Sequence, residues 1–364
     1  MQRKTAIIIG DSTNNTLSVI RSLGKRKVKQ NLILVCDEDF CNVKKSKYLH
    51  QSKIYEIKEI EEAQNILENI HTEGQVIICT FDKAAMWVDA NENWLSQKFV
   101  TPCQGKRIGH LFNKKSQCQL AEECGLTIPK SIVYKRGTQF PTMDYPLLLK
   151  PLVSIKGEKS DIHICFNDED LRKSMDENSL CADFIVQEYI EKDYELDCIG
   201  VSTDDDVIIS GAVRKIRHYP PSIGAGAYGK FLPLKEIDID ADAVKRFIQK
   251  SNYHGPFSVE FLHTCDNKNY FMEVNFRNEG LAYASTIAGA NLHAVYLNAD
   301  LYRPENVKSV YMMNYSLDYL YVKSGEVSFL SWLRDFIRTK CFINFSIKDP
   351  MPTIKYYISK FSKK

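Results

Sequence analysis

Residues 271–280 read FMEVNFRNEG. The run has the alternation of a β-strand. Period two places Tyr270, Met272, Val274 and Phe276 on one face and Phe271, Glu273, Asn275 and Arg277 on the other. One face is apolar; the other carries a carboxylate, an amide and a guanidinium. The preceding run, PFSVEFLH (256–263), is joined to it by TCDNKN, the spacing of a tight hairpin. A turn centred on Asp266 and Asn267 sets Glu260 directly across from Glu273. Two carboxylates so paired lie about 5 Å apart and repel each other unless a cation neutralises them. Carboxylates with an amide oxygen suit a hard divalent ion such as Mg2+, so Glu260, Glu273 and Asn275 are the candidate metal ligands.

Upstream the pattern changes. AIIIG (6–10), NLILVC (31–36) and QVIICTF (75–81) read as fully buried strands, separated by the helical spacing of TLSVIRSLGK (16–25) and EIEEAQNILENIH (59–71). Strand and helix alternate, which predicts an open α/β domain over residues 1–108. NKKSQCQLAEECGLTIPKS (113–131) reads as a helix stopped by Gly125 and Pro129. YPLLLKP (145–151) and ADFIVQEYI (182–190) are apolar runs around a polar, partly helical middle. From Glu195, YELDCIGV, DVIISGAV, GPFSVEFLH and NYFMEVNFR read as strands of an antiparallel sheet.

Composition bounds the function. With 364 residues the chain holds more than one domain, and 44% apolar and 26% charged residues are ordinary for a globular protein. A net charge of +2 offers no field for nucleic acid. The 11 cysteines contain no C-x-x-C pair and the 8 histidines no paired spacing, which argues against a zinc site and a disulfide framework and points to the cytoplasm. No apolar run is long enough for a signal peptide or a membrane span.

Glu260 followed by EVNFR resembles the metal-binding end of the ATP-grasp superfamily. The resemblance implies a pre-ATP-grasp α/β domain (1–108), a first, nucleotide-binding α+β lobe (109–190) and a second lobe with the metal and substrate site (191–322). It also implies ATP and Mg2+, with Mn2+ as an alternative metal. Carried over residue by residue, it gives Lys114, with Lys115 as the alternative, and Lys150 as phosphate ligands. VQEYIEKDYEL (186–196) matches the adenine hinge at Gln187, Glu188, Tyr189 and Ile190 and the ribose ligand at Glu195. Arg277 and Lys215 become the catalytic candidates, with Arg214 beside Lys215. The chain departs from the family at 152–161, LVSIKGEKSD, which has Gly157 alone between Lys156 and Lys159 where the phosphate-covering loop is usually glycine-rich.

GAGAYGKF (224–231) fits G-x-G-x-x-G and G-x-x-x-x-G-K, but Phe231 replaces the Ser or Thr of a P-loop and no buried strand precedes it. It is read as a flexible loop over the active site. The layout is similar to short single-chain carboligases of the carbamoyl-phosphate-synthase-like type, a group that includes D-aspartate ligase. The resemblance implies a carboxylate–amine ligase acting through an acylphosphate, in cell-surface polysaccharide or amino-acid conjugate synthesis. A nucleotide sensor without turnover and an ATP-grasp kinase are the alternatives. The implied partners are a small carboxylate and an amine, with a homodimer as one oligomeric state. The tail (323–364) holds, from Glu326 on, 8 Lys or Arg against 3 Asp or Glu, with Trp332, Phe336 and Ile337 at helical spacing. It is a helix packed on the body or a dock for an acidic membrane or protein surface.

Overall fold

The computed structural model describes residues 4–36, 41–72, 74–139, 142–151, 163–177, 183–221 and 225–362. The chain forms two compact units. The larger comprises Met1–Leu126, Glu195–Phe261 and Met272–Lys364, and the smaller Thr127–Tyr194 with Leu262–Phe271. These packing units cut the chain differently from the four sequence segments above.

The N-terminal sheet has strands β1 (Ala6–Asp11), β2 (Gln30–Val35), β3 (Ile54–Ile57) and β4 (Val76–Cys79) in the order β3-β2-β1-β4, all parallel. Ile7, Ile8 and Ile9 are all fully buried. This is why β1 reads as a continuous apolar run: a central parallel strand covered on both faces has no polar alternation. Helices α1 (Asn14–Lys25), α2 (Ala63–Glu68), α3 (Asp82–Ala90) and α4 (Glu92–Leu95) complete this part, and α5 (Lys114–Glu123) follows. The Thr13 side chain caps α1 by accepting from the Asn15 amide, and Asn113 caps α5 by accepting from the Lys115 amide.

The smaller unit is built on β5 (Ser131–Lys135), β6 (Leu147–Pro151), β7 (His163–Cys165) and β8 (Asp183–Glu188), in the antiparallel order β5-β8-β6-β7 with α6 (Asp168–Glu177). Its own core gathers Leu147, Leu149, Leu171, Phe184 and Val186.

Among the described residues the largest sheet has seven strands, ordered β13-β12-β9-β10-β11-β14-β15. They are β9 (Tyr194–Ser202), β10 (Val207–Tyr219), β11 (Ala225–Pro233), β12 (Gly255–His263), β13 (Asn269–Asn275), β14 (Val310–Met313) and β15 (Cys341–Phe342). Helices α7 (Ala241–Ser251), α8 (Ala282–Ala288), α9 (Leu292–Tyr296), α10 (Tyr315–Lys323), α11 (Phe329–Arg338) and α12 (Met351–Ser362) accompany it. One core joins α1 and the N-terminal strands to α8, α9 and the end strands through Ile8, Leu17, Ile20, Leu281, Tyr283, Leu292 and Met312.

Several expectations are corrected. GAGAYGKF is not a loop: all of it that is described belongs to β11, which pairs with β10 on one side and β14 on the other. Gly229 is there because a Cβ would come within 2.8 Å of the Arg214 carbonyl oxygen, so the glycine serves strand packing. The β12–β13 turn centres on Cys265 and Asp266, one residue earlier than expected. The Asn267 amide donates to the Thr264 carbonyl, and Asn267 takes the left-handed conformation at φ 59°. Phe271, expected on the polar face, is fully buried. The cysteines do include a disulfide, Cys36–Cys41. The tail, by contrast, packs on the body as one of its two readings allowed: β15 pairs with β14, and the fully buried Arg21 and Asp349 form an ion pair at 3.1 Å. No helix among the described residues is long and apolar enough to cross a membrane.

Candidate active site

β9 places Glu195 and Asp197 two residues apart, hence on one face of the strand. In the neighbouring β10, Lys215 pairs with Glu195 and Val213 with Asp197, so Lys215 rises on the same face beside both acids. Its ammonium lies 2.9 Å from Asp197 Oδ1, 3.2 Å from Glu195 Oε2 and 3.7 Å from Glu260 Oε2. His218 Nε2 reaches the same Glu195 oxygen at 3.1 Å. Arg214 takes the opposite face of β10 and is exposed.

This group is electrostatically loaded. Carboxylate oxygens of Asp197, Glu260 and Glu279 all lie within 4.8 Å of one another. Burial raises the Asp197 pKa well above the usual carboxylate range, with Lys215 pulling it down and Glu279 and Glu260 pushing it up. Burial also raises Glu260, opposed by Lys215 and reinforced by Glu279 and Glu273. Burial works against the charge on Lys215, but Asp197, Glu260 and Glu195 outweigh it and hold its pKa well above normal. Asp197 Oδ2 is buried and has no hydrogen-bond partner among the described residues. An all-oxygen cluster with an orphaned buried carboxylate oxygen fits a hard divalent cation.

The second part of the site comes from α5 and β13. Gln117 Oε1 accepts from the Val274 amide at 2.8 Å while its Nε2 donates to the Val274 carbonyl at 3.0 Å. This two-way bond fixes the helix against the strand. Lys114, one turn earlier on α5, therefore meets Glu273, at 2.5 Å. Asn275 Nδ2 donates to Glu260 Oε1 at 3.2 Å, and its Oδ1 accepts from Arg277 at 3.0 Å. Arg277 also holds Asp82 at the start of α3, at 2.6 Å. Glu279 accepts from Ser258 at 2.7 Å.

The structure thus brings together Glu195, Lys215, Glu260 and Asn275 and sets Lys114 on Glu273. Of the expected metal ligands, Glu260 sits in the carboxylate cluster, Glu273 is held by Lys114, and the Asn275 oxygen is held by Arg277. Sequence reasoning missed Asp197, Glu279 and Asp82. Asp197 was readable, being two residues from Glu195 on the same strand.

Lys150, Gln187, Glu188, Tyr189 and Ile190 belong to the smaller unit. Lys150 Nζ donates to Gln187 Oε1 at 3.1 Å, the two side chains rising from the adjacent strands β6 and β8. Gln187 and Ile190 are buried. Glu188 Oε2 accepts from the Lys130 amide at 3.2 Å, and the Tyr189 amide donates to the Pro146 carbonyl. The glycine-poor segment with Lys156, Gly157 and Lys159 lies outside the described residues.

No protein-family model and no curated protein sequence matches the chain. Solved structures do match it. It resembles N5-carboxyaminoimidazole synthetase from Staphylococcus aureus complexed with ADP at a TM-score of 0.66, with 17% identity, covering 89% of this chain and 87% of that one. It resembles an L-amino acid ligase from Bacillus licheniformis at a TM-score of 0.62, with 13% identity and 85% and 80% coverage. It resembles biotin carboxylase from Campylobacter jejuni, in a β-γ-ATP complex, at a TM-score of 0.63, with 14% identity and 85% and 75% coverage. At these identities the likeness is one of fold.

Proposed function

Taking as premise the ATP-grasp fold that these likenesses show, we propose that the chain is an ATP- and Mg2+-dependent ligase joining a carboxylate to an amine. The observation that carries the reading is the carboxylate cluster of buried Asp197 and half-buried Glu260 and Glu279 around Lys215, with the Lys114–Glu273 pair beside it. Such a concentration of like charge costs stability, and a phosphate-bound cation is the ligand that rewards it. The likeness to enzymes solved with ADP or an ATP analogue, among them an amino acid ligase, supports the same reading.

In the proposed reaction a carboxylate oxygen of the first substrate attacks the γ-phosphorus, and the bond from that phosphorus to the bridging oxygen of ADP breaks. The amine lone pair then attacks the acyl carbon. Phosphate leaves, and the nitrogen gives up a proton. Glu260 would hold the metal, with Glu273 and Asn275 as further ligands and Asp197 and Glu279 adding oxygens. When bound, Mg2+ neutralises charge on the phosphate oxygens. Lys114 and Lys150 supply positive charge to phosphate, and Gln187, Glu188, Tyr189 and Ile190 receive adenine. Glu195 accepts hydrogen bonds from ribose hydroxyls. Arg277 offers two donors to the substrate carboxylate or the developing oxyanion, and Lys215 keeps the acids gathered.

The test is ADP and phosphate release with ATP and Mg2+ against pooled amino acids, hydroxy acids and sugar acids, with Glu273→Ala as control. Release that requires one carboxylate plus one amine and disappears in the variant is the expected result. A stable phosphorylated product without free phosphate would make the protein a kinase. ATP binding without release from any pool would make it a sensor.

A further inference from the structure

The far end of the chain carries chemistry that the ligase reading does not use. Its anchoring is firm. Asp349 accepts from Arg21 Nε at 3.1 Å, Ser46 Oγ at 2.9 Å and the Lys47 amide at 2.9 Å, and Arg21 also donates to the Asp349 and Ile343 carbonyls at 3.1 Å. Pro352 and Thr353 are buried, and Tyr357 meets the Tyr315 hydroxyl at 3.0 Å. One side of α12 is therefore fixed to the body. The other side presents Met351, Ile354 and Ile358, spaced three and four residues apart as one helical stripe, with Ile358 50% exposed. Ile347, just before the helix, is 85% exposed.

Along the sequence the charge of this stretch has one sign. Lys348, Lys355, Lys360, Lys363 and Lys364 follow one another with Asp349 as the only acid between Lys348 and the last residue of the sequence. Asp349 is fully buried and neutralised by Arg21. We infer that α12 and the segment before it form a docking surface for an anionic lipid bilayer. The aliphatic stripe enters the headgroup boundary and the lysines face the lipid charge, the two signals that peripheral binding requires. The cations of this stretch are all lysines, flexible point charges that are depleted in protein interfaces and suited to a diffuse charged plane. A second copy is a poor occupant, because a twofold pairing of this surface would bring the same lysines together.

The test uses the full chain in flotation with vesicles of phosphatidylcholine alone and with added phosphatidylglycerol. The protein is expected to float with the anionic vesicles and to release them as salt is raised. The pair Ile354→Glu and Ile358→Glu should weaken binding about tenfold or more. The pair Lys355→Gln and Lys360→Gln should weaken it about twenty-five-fold, since each lysine near an anionic surface contributes about fivefold. Both pairs replace exposed or half-buried side chains, and thermal unfolding unchanged from wild type confirms an intact fold. Failure of the wild-type chain to bind anionic vesicles overturns the inference. So does equal binding to neutral vesicles, or binding untouched by the isoleucine pair. Dimerisation without lipid that the isoleucine pair abolishes would also overturn it, assigning the surface to a second copy.

Discussion

Lys114 and Lys215 each meet a carboxylate of the larger unit, under opposite conditions. Lys114 reaches Glu273 with its side chain 64% exposed. Lys215 reaches Asp197 with 8% of its side chain exposed and none of its partner's. Water and salt screen the first pair, so opening it costs little. The second stands where charge is poorly solvated, and taking away one partner strands the other. A lysine that can leave its carboxylate is available to a phosphate; a lysine that cannot is there to hold repelling acids together. The two contacts look alike as distances and differ in role.

The largest expected effect comes from breaking the buried member. Lys215→Met leaves Asp197, Glu195 and Glu260 without their cation, and urea unfolding at pH 7 should show a loss of about 3–5 kcal/mol. Its pH dependence has a definite sign. Burial raises the Asp197 and Glu260 pKa values in the folded state. The unfolded chain therefore gives up those protons first as pH rises, and stability falls from the ordinary carboxylate range upward through the raised values. Without Lys215 the folded values rise further, so the loss should shrink when unfolding is measured near pH 4. An equal loss at both pH values would mean that the lysine acts through packing and not through charge.

A smaller effect separates strand from phosphate loop in β11. Gly229→Ala pushes a Cβ to within 2.8 Å of a backbone oxygen, whereas at Gly226 the nearest atom is a lysine side-chain carbon at 3.7 Å. Gly229→Ala should cost about 1–3 kcal/mol and Gly226→Ala within about 0.5 kcal/mol. If instead both substitutions spare stability and both weaken ATP binding, these glycines serve phosphate after all. The smallest effect on stability belongs to the exposed pair: Lys114→Ala should change unfolding by under about 1 kcal/mol. The same variant should weaken ATP binding about tenfold or more, because a charge-assisted bond to phosphate is lost. A large stability loss with unchanged ATP affinity would reverse the roles of the two lysines.

How much of this was legible in the sequence follows from periodicity. The runs around Ile7–Ile9, Leu32–Leu34 and Ile77–Cys79 became β1, β2 and β4 because parallel strands buried on both faces leave an unmistakable signal. The alternation of 270–277 announced Glu273, Asn275 and Arg277 as neighbours on one face. β11 was misread because glycine marks both loops and close strand packing, and only three-dimensional crowding tells them apart. Asp82 left no local trace, lying 195 residues from Arg277. Cys36 and Cys41 stand five residues apart in sequence, a spacing that alone gives no sign of pairing. The tail's basic count was right, yet nothing local showed that Asp335 would be buried against Arg217 and Asp349 against Arg21, leaving the exposed charge more one-sided than the composition.

The most direct measurement is calorimetric titration of ATP into wild type and Glu260→Gln, with and without Mg2+. If the β12 and β13 carboxylates hold the metal that carries ATP, Mg2+ should strengthen wild-type binding. Glu260→Gln should then lose that gain by about tenfold or more while keeping its metal-free affinity. Equal Mg2+ dependence in the two proteins would contradict the assignment.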